Sequence, residues 1–489
     1  MTAKSLMFQG TGSDVGKSLV VAGLCRALVR RGMAVRPFKP QNMSNNAAVT
    51  PDGGEIGRAQ ALQAKACGVP TSTAMNPVLL KPQSDIGAQL VVNGKVVGNF
   101  KARDYQSKKP ELLAAVLENF KDLKNEADFI LVEGAGSAAE VNLRDGDIAN
   151  MGFATASRTP VVLIADIDRG GLIASVVGTW ALLPEEEQQL VAGYVINKFR
   201  GDVSLFDDGI KIIAQETGLK CFGVIPYLAA ARQLPQEDAM SLENRMRDGE
   251  GGNGNGSIRI AVPKLAHISN YDDFDPLAAE PDVDLQYIPP GMALPGDADL
   301  VILPGSKTTI ADLADFRQQG WDIDLRAHVR RGGLVLGLCA GYQMLGRVIW
   351  DPEQIEGDTV LAEGLGLLDV ETVLAGDKTL TEVAGKAEGL GAISGYEMHI
   401  GDTTATGDNG HYLTIDGLSL GSMSEDGKIM GCYLHGLFAA DEFRASFLGK
   451  IADRNGGLAY DIQVEQSLDA IAASLEEVLD VDGIIVAAN

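Results

Sequence analysis

Short apolar runs that stop on Gly, Asp, Asn or Pro recur along the first half of the chain: LMFQG, FILVEGAG at 129 to 136, PVVLIADID at 160 to 168, VAGYVINK at 191 to 198 and CFGVIP at 221 to 226. Segments of helical character separate them. Continuous apolar strands alternating with helices predict an α/β fold whose parallel sheet is covered on both faces, with its functional loops at the carboxyl ends of the strands. The chain of 489 residues exceeds a single core, and two large domains fit best. RDGEGGNGNGSIRIAV interrupts the pattern. Its Gly251 to Gly256 core has no apolar area to bury, which predicts a linker over 249–257 between domains spanning 1–248 and 258–489. A second α/β series follows, with IRIAV from Ile258, DLVILPGSKTT from Asp299, GGLVLGLCAGYQMLG from Gly332 and GKIMGCYLHGLF from Gly427. Helical apolar spacing over Val464 to Leu479 predicts a terminal helix that packs back on the second domain.

Sixty-six acidic against 41 basic residues give a formal charge of −25, which argues against a nucleic-acid or anionic-membrane surface. An anionic substrate would then need its own local cluster of bases. The five cysteines are odd in number and lack C-x-x-C spacing, so no disulfide framework and no tightly bound metal is expected. No export signal is evident, and no apolar run reaches the ~18 residues of a membrane span. The expected location is the cytoplasm.

GTGSDVGKS lies between the first apolar run and a helix expected from about Lys17 to Arg31. It departs from G-x-x-x-x-G-K-S by one residue, since the first glycine of that motif would fall on Thr11. The strand-loop-helix context is still that of a phosphate loop: Gly10, Thr11, Gly12, Ser13, Asp14, Val15 and Gly16 offer backbone N–H groups, Lys17 neutralises the outer phosphates, and Ser18 can ligate magnesium. A hard cation bridging phosphates also needs carboxylate oxygen. Glu133, at the end of a strand in VEGAGS, fits that need. Glu55 in DGGEIGRAQALQAKA reads equally well as a second ligand or as an acid favouring a helix N-terminus, and Asp52 is a weaker candidate. Lys39, Arg58, Lys81, Arg144, Arg169 and Arg200 bring positive charge to predicted loop ends, which suits an anionic substrate. Asn197 and Lys198 end another strand and read either as nucleotide contacts or as an ordinary strand exit.

The stretched loop, together with NPVLLKP and VEGAG, resembles the dethiobiotin synthetase group of P-loop enzymes. That resemblance implies a P-loop NTPase-like first domain that uses ATP to activate a carboxylate or carbamate. Partition ATPases of related fold carry a second lysine early in the loop. Thr11, Gly12 and Ser13 stand here instead, which counts against a switch ATPase.

In the second series, Cys339 is the centre of G-x-C-x-G, Gly337 to Gly341, directly after an apolar strand. Small neighbours permit a sharp strand-to-helix turn that exposes the sulfur, and the following helix N-terminus favours thiolate. A thiol nucleophile needs a base; His435 in GCYLHGLF has the best context, with His399 in GYEMHIGDT as its rival. Backbone N–H groups at Gly305 and Ala340 are candidates for an oxyanion hole. These elements resemble class I glutamine amidotransferase domains, in which a cysteine attacks the glutamine side-chain amide and ammonia leaves. The usual His-x-Glu would put an acid at 437, yet the residue is Leu437, so the partner orienting His435 is elsewhere or absent.

Taken in order, GTGSDVGKS, FKPQNMSNNA, DGGEIGRAQALQA, MNPVLLKP, NLRDGDIANMGFA, DIDRGG, INKFRGD, LPGSKTT and CAGYQMLG resemble the cobyric acid synthase family over nearly the whole chain. The resemblance implies amidation of the b, d, e and g carboxylates of adenosylcobyrinic acid a,c-diamide, with ATP, magnesium and glutamine as ammonia donor. It assigns Cys339 as nucleophile, His435 as its base and Gly10 to Ser18 as the ATP site. Asp145 or Asp147 in LRDGDIAN reads either as a corrin or metal contact or as a helix N-cap. The alternatives are the sister synthase that amidates the a and c carboxylates, a CTP synthase-like amidoligase, and an ATP-dependent switch whose second domain only binds partners.

Overall fold

The apolar runs of the first half become the strands of one parallel sheet. The computed structural model describes residues 3–84, 87–235, 257–376, 379–407, 410–454 and 456–489. The chain divides into two units, Met1–Glu237 with Ile462–Asn489, and Asp238–Asp461. The linker expected over 249–257 lies outside the described residues except for Ser257.

In the first unit the strand order is Lys220–Pro226, Val191–Phe199, Val161–Asp166, Lys4–Gly10, Phe129–Ser137 and Val35–Phe38, every neighbouring pair being parallel. Val161–Asp166 is buried along its whole length, as expected for a central strand covered on both faces. Lys4–Gly10 lies between Val161–Asp166 and Phe129–Ser137, so the loop that follows it opens beside the carboxyl ends of these two neighbours. Phe38, Phe120 and Phe153 pack with ring centroids 5.1 to 5.6 Å apart in the core of this unit. A smaller sheet of Gln41–Met43, Val78–Ser84, Gly87–Val92 and Lys95–Lys101 and a two-stranded one of Ala47–Val49 with Glu55–Gly57 also belong to the unit.

The terminal helix corrects an expectation. Tyr460–Val478 runs into the first unit, not the second, and from Ile462 onward the chain belongs there. The reason is steric: Gly23, on the helix Lys17–Arg30, has no side chain, and a Cβ there would come within 2.6 Å of Leu475 and 2.7 Å of Ile471. That vacancy lets the apolar face of the terminal helix seat closely. Arg31 then pairs with Glu476 at 2.8 Å and Asp482 at 2.7 Å, and the Ser5 amide donates to the Asn489 carbonyl. Apolar periodicity identifies such a helix but not the surface that receives it.

The second unit has its own parallel sheet, ordered Val283–Ile288, Ile258–Pro263, Leu300–Leu303, Leu334–Leu338 and Ile429–Cys432, with Ser422–Met423 antiparallel at one edge. A separate antiparallel sheet contains Thr379–Ala387, Gly391–His399 and the two-residue strand Leu434–His435. The chain thus leaves the parallel sheet at Cys432 and joins the antiparallel one at Leu434. Among the described residues no helix is long and apolar enough to cross a membrane.

Candidate active site

The phosphate-loop residues fold as a strand-to-helix turn. Gly16 caps the helix Lys17–Arg30 at φ 91°, and a Cβ there would lie 2.3 Å from the Asn197 side-chain nitrogen. Only glycine combines that backbone angle with that approach. Asn197 Nδ2 donates to the Val15 carbonyl at 2.8 Å, and Lys198 Nζ donates to the Asp14 carbonyl at 2.6 Å and to Asp166 Oδ2 at 2.8 Å. Both residues therefore brace the loop from the neighbouring strand. Lys17 Nζ donates to the Gly136 carbonyl at 2.8 Å, drawing the loop against the exit of Phe129–Ser137.

Glu133 is the electrostatic centre of this unit. Its side chain is fully buried; Oε1 accepts from Ser18 Oγ at 2.8 Å and Lys39 Nζ at 2.8 Å, and Oε2 accepts from Gln63 Nε2 at 2.5 Å. Burial alone would raise its pKa. The Lys39 ammonium and the bonds from Lys39, Ser18 and Gln63 outweigh it and hold the carboxyl below the usual carboxylate range. Sequence reasoning paired Ser18 with Glu133 but missed Gln63, whose position within RAQALQAKA carries no distinguishing signal.

Several expected ligands are engaged otherwise. Glu55 and Lys81 form a buried ion pair with each other, both fully shielded from solvent. Glu55 is thus not on Ser18, and Lys81 is not presented as an open anion contact. Lys39 is 5% exposed and held by Glu133. A sequence shows a base at a strand exit but not the buried acid that faces it. Asp147 accepts from the backbone N–H groups of Ala149, Asn150 and Gly152 at 2.8 to 3.1 Å, at the start of the helix Met151–Ser157. Its oxygens thus brace the turn that leads into that helix. Asp52 likewise bonds Thr73. Arg144 pairs with Glu187, Arg169 with Asp14, and Arg200 with Asp168. Arg58 is half-buried at the start of the helix Arg58–Cys67.

In the second unit Cys339 stands between Leu334–Leu338 and the helix Ala340–Leu345 at φ 53°, ψ −111°. Such an angle costs a non-glycine residue of order 1–3 kcal/mol and marks a turn held by its surroundings. Here the holders are the flanking glycines: a Cβ on Gly337 would meet the Gly341 carbonyl at 2.6 Å, and one on Gly341 would meet the Leu303 carbonyl at 2.1 Å. The Cys339 amide donates to the Cys432 carbonyl at 2.9 Å, and the thiol reaches the Met398 carbonyl at 3.5 Å.

His435 is 1% exposed, and its ring stacks on Tyr396 with centroids 5.4 Å apart. Nδ1 donates to Asp273 Oδ2 at 2.7 Å, while the Gly436 amide donates to Asp273 Oδ1 at 2.8 Å. Burial would lower the imidazole pKa. The Asp273 charge and hydrogen bond, with a hydrogen bond to the Cys339 thiol, overcome it and raise the value to about 10. His399 has a different setting: its Nδ1 meets the Gly401 carbonyl at 3.0 Å, its ring lies on Tyr433 at 3.7 Å, and burial lowers its pKa. The geometry thus favours His435 over its rival. Gly305 lies beside this histidine, where a Cβ would be 3.4 Å from His435 Cε1, and Ala340 directly follows the thiol.

Comparison with known proteins agrees with this division. Residues 6–242 match the CobQ/CobB/MinD/ParA nucleotide binding domain, and residues 259–443 match the CobB/CobQ-like glutamine amidotransferase domain. A protein of Allorhizobium ampelinum named cobyric acid synthase is 58% identical over 98% of this chain and 98% of its own length. The chain belongs to the cobyric acid synthase family. Relatives of the same name from Mesorhizobium japonicum, at 55% identity over 99% of both chains, and from Bradyrhizobium sp. (strain ORS 278), at 57% over 100% of this chain and 98% of the other, extend the match across both halves. Family membership accounts for one chain holding both a nucleotide binding domain and a glutamine amidotransferase domain.

Proposed function

We propose that the chain converts the b, d, e and g carboxylates of adenosylcobyrinic acid a,c-diamide into amides, using ATP and ammonia released from glutamine. The observation that carries this reading is 55–58% identity over essentially the full length to proteins named cobyric acid synthase. The chemical roles below follow from that reading. At the first site a substrate carboxylate oxygen attacks the γ-phosphorus of ATP and ADP leaves, giving an acyl phosphate; ammonia then attacks the acyl carbon and inorganic phosphate departs. The loop Gly10 to Gly16 and the helix N-terminus at Lys17 offer N–H donors to the phosphates, and Lys17 supplies charge.

Ser18 Oγ and Glu133 Oε1, in contact at 2.8 Å, are hard oxygen donors of the kind magnesium takes, so these two residues would hold the ion; Glu55, spent on Lys81, would not join them. Bound there, magnesium would neutralise phosphate charge. At the second site Cys339 Sγ attacks the glutamine side-chain carbonyl, and the thiol proton passes through His435 Nε2 to the departing ammonia. Water then cleaves the thioester to glutamate. Gly305 and Ala340 remain the candidates for stabilising the oxyanion. Delivery as free amine matters because ammonia in neutral water is mostly protonated and a carboxylate is a poor electrophile. A cytoplasmic location accords with this metabolite chemistry.

Mass spectrometry of the a,c-diamide incubated with ATP, magnesium and glutamine tests the proposal. Stepwise exchange of four carboxyl groups for amides is expected. Consumption of unamidated cobyrinic acid or of UTP in place of the diamide would assign the chain to one of the alternative amidoligases, and nucleotide hydrolysis without any amidation would reject a synthase.

A further inference from the structure

We infer that Asp273 is the positioning residue of the glutaminase site, supplying from a distant turn the carboxylate that the histidine motif itself lacks at Leu437. The inference rests on the proposed function above, since it assigns a role within that function's ammonia-releasing half.

Position 437 cannot serve. Leu437 is fully buried in the apolar core of the second unit, on the short helical turn Leu437–Ala439. Asp273 lies 162 residues before His435, on the turn Tyr271–Phe274 that follows the two-residue strand Ile268–Ser269. That strand pairs antiparallel with Gly305–Ser306, so the same local fold that carries the acid also carries the oxyanion candidate Gly305. Asn270, at the head of the turn, adopts φ 51° and places its side-chain amide 3.4 Å from both ring nitrogens of His435.

Three features distinguish Asp273 from an incidental neighbour. Its two oxygens divide between the His435 ring and the Gly436 amide at 2.7 and 2.8 Å, which fixes the carboxylate relative to the histidine's own backbone. The acid and the imidazole side chains are 3% and 1% exposed, so the pair is sheltered from water that would screen it. The bond also falls on Nδ1, which leaves Nε2 to exchange a proton with the thiol, and Asp273 holds the ring in that tautomer and orientation. Tyr396, stacked on the ring, restricts its rotation out of this plane.

The test uses the full-length chain and three readouts. Glutamine-supported amidation by Asp273→Asn should fall about 100-fold or more, while Asp273→Glu recovers part of the loss. The rate of Cys339 alkylation by iodoacetamide near neutral pH, read by peptide mass spectrometry, should fall in Asp273→Asn, because an imidazole no longer held by a carboxylate is less well placed to take the thiol proton. In the unaltered chain, NMR titration of His435 should show the ring still protonated well above the ~6.5 of free imidazole, a readout that does not depend on any variant folding. An Asn variant with glutamine-supported turnover within about threefold of the parent and an unchanged alkylation rate would overturn the inference, as would His435 titrating at or below ~6.5. Failure of the parent chain to amidate the diamide with ammonium salts would instead remove the proposed function, leaving the alkylation and NMR readouts to decide the role of Asp273 by themselves.

Discussion

Replacing Lys81 by Met separates two accounts of a lysine that the sequence presents as an anion contact. In the structure Lys81 and Glu55 are both fully shielded and paired with each other. Lys81→Met removes the ammonium and leaves the Glu55 carboxylate without that buried counter-charge. Breaking one partner of such a pair costs about 3–5 kcal/mol. For a cooperative unit of the size of the first one, each kcal/mol shifts the midpoint by roughly 2–4 °C, so calorimetry should show the transition of that unit falling by roughly 6–20 °C. Replacing both residues with Met should recover most of the loss, because a well-packed apolar pair of similar volume costs little relative to an ion pair. The reasoning is refuted if Lys81→Met keeps the parental midpoint and instead raises KM for the corrinoid. Lys81 would then be a substrate contact, and the pairing with Glu55 energetically minor.

Further outcomes follow from particular contacts. Gly341→Ala places a Cβ 2.1 Å from the Leu303 carbonyl; overpacking of this kind costs about 1–3 kcal/mol, so glutamine-supported turnover should collapse and the second unit should melt earlier in the same calorimetric scan. Gly16→Ala should raise KM for ATP without changing glutaminase activity, since its strain at φ 91° and its clash with Asn197 both fall on the phosphate loop. Glu133 is held below its unfolded value of ~4.3, so its contribution to stability is full above that pH and lost as the pH falls through the folded value. Urea denaturation at stepped pH should therefore show a shallower acid-side decline in Glu133→Gln than in the parent. The His435 pair has the opposite sign: raised to about 10, it stabilises fully below ~6.5 and loses that contribution as the pH climbs toward the folded value.

The features legible in the sequence are those whose chemistry is contiguous. Gly10 to Ser18 and Gly337 to Gly341 each hold their backbone demands within nine residues or fewer, and the observed angles of Gly16 and Cys339 are what those glycines permit. The parallel strands were legible because a strand buried on both faces reads as an unbroken apolar run. Partnerships across long sequence separations were not. SNYDDFDPL contains three aspartates, and only the antiparallel pairing of Ile268–Ser269 with Gly305–Ser306 and of His435 with Tyr396 shows that Asp273 is the one that meets the imidazole. Lys39 and Lys81 followed the rule that bases at loop ends meet anions, but the anions they meet are the protein's own Glu133 and Glu55. The terminal helix announced its apolar face, while the receiving surface depended on the missing side chain at Gly23.

The central claim is that one half of the chain activates a carboxylate while the other releases ammonia through Cys339. Cys339→Ala, supplied with the a,c-diamide, ATP and magnesium, tests it most directly when glutamine and ammonium chloride are compared as nitrogen sources by mass spectrometry of the corrinoid. Amide formation from ammonium salt with none from glutamine is the predicted result. Undiminished amide formation from glutamine would contradict the account.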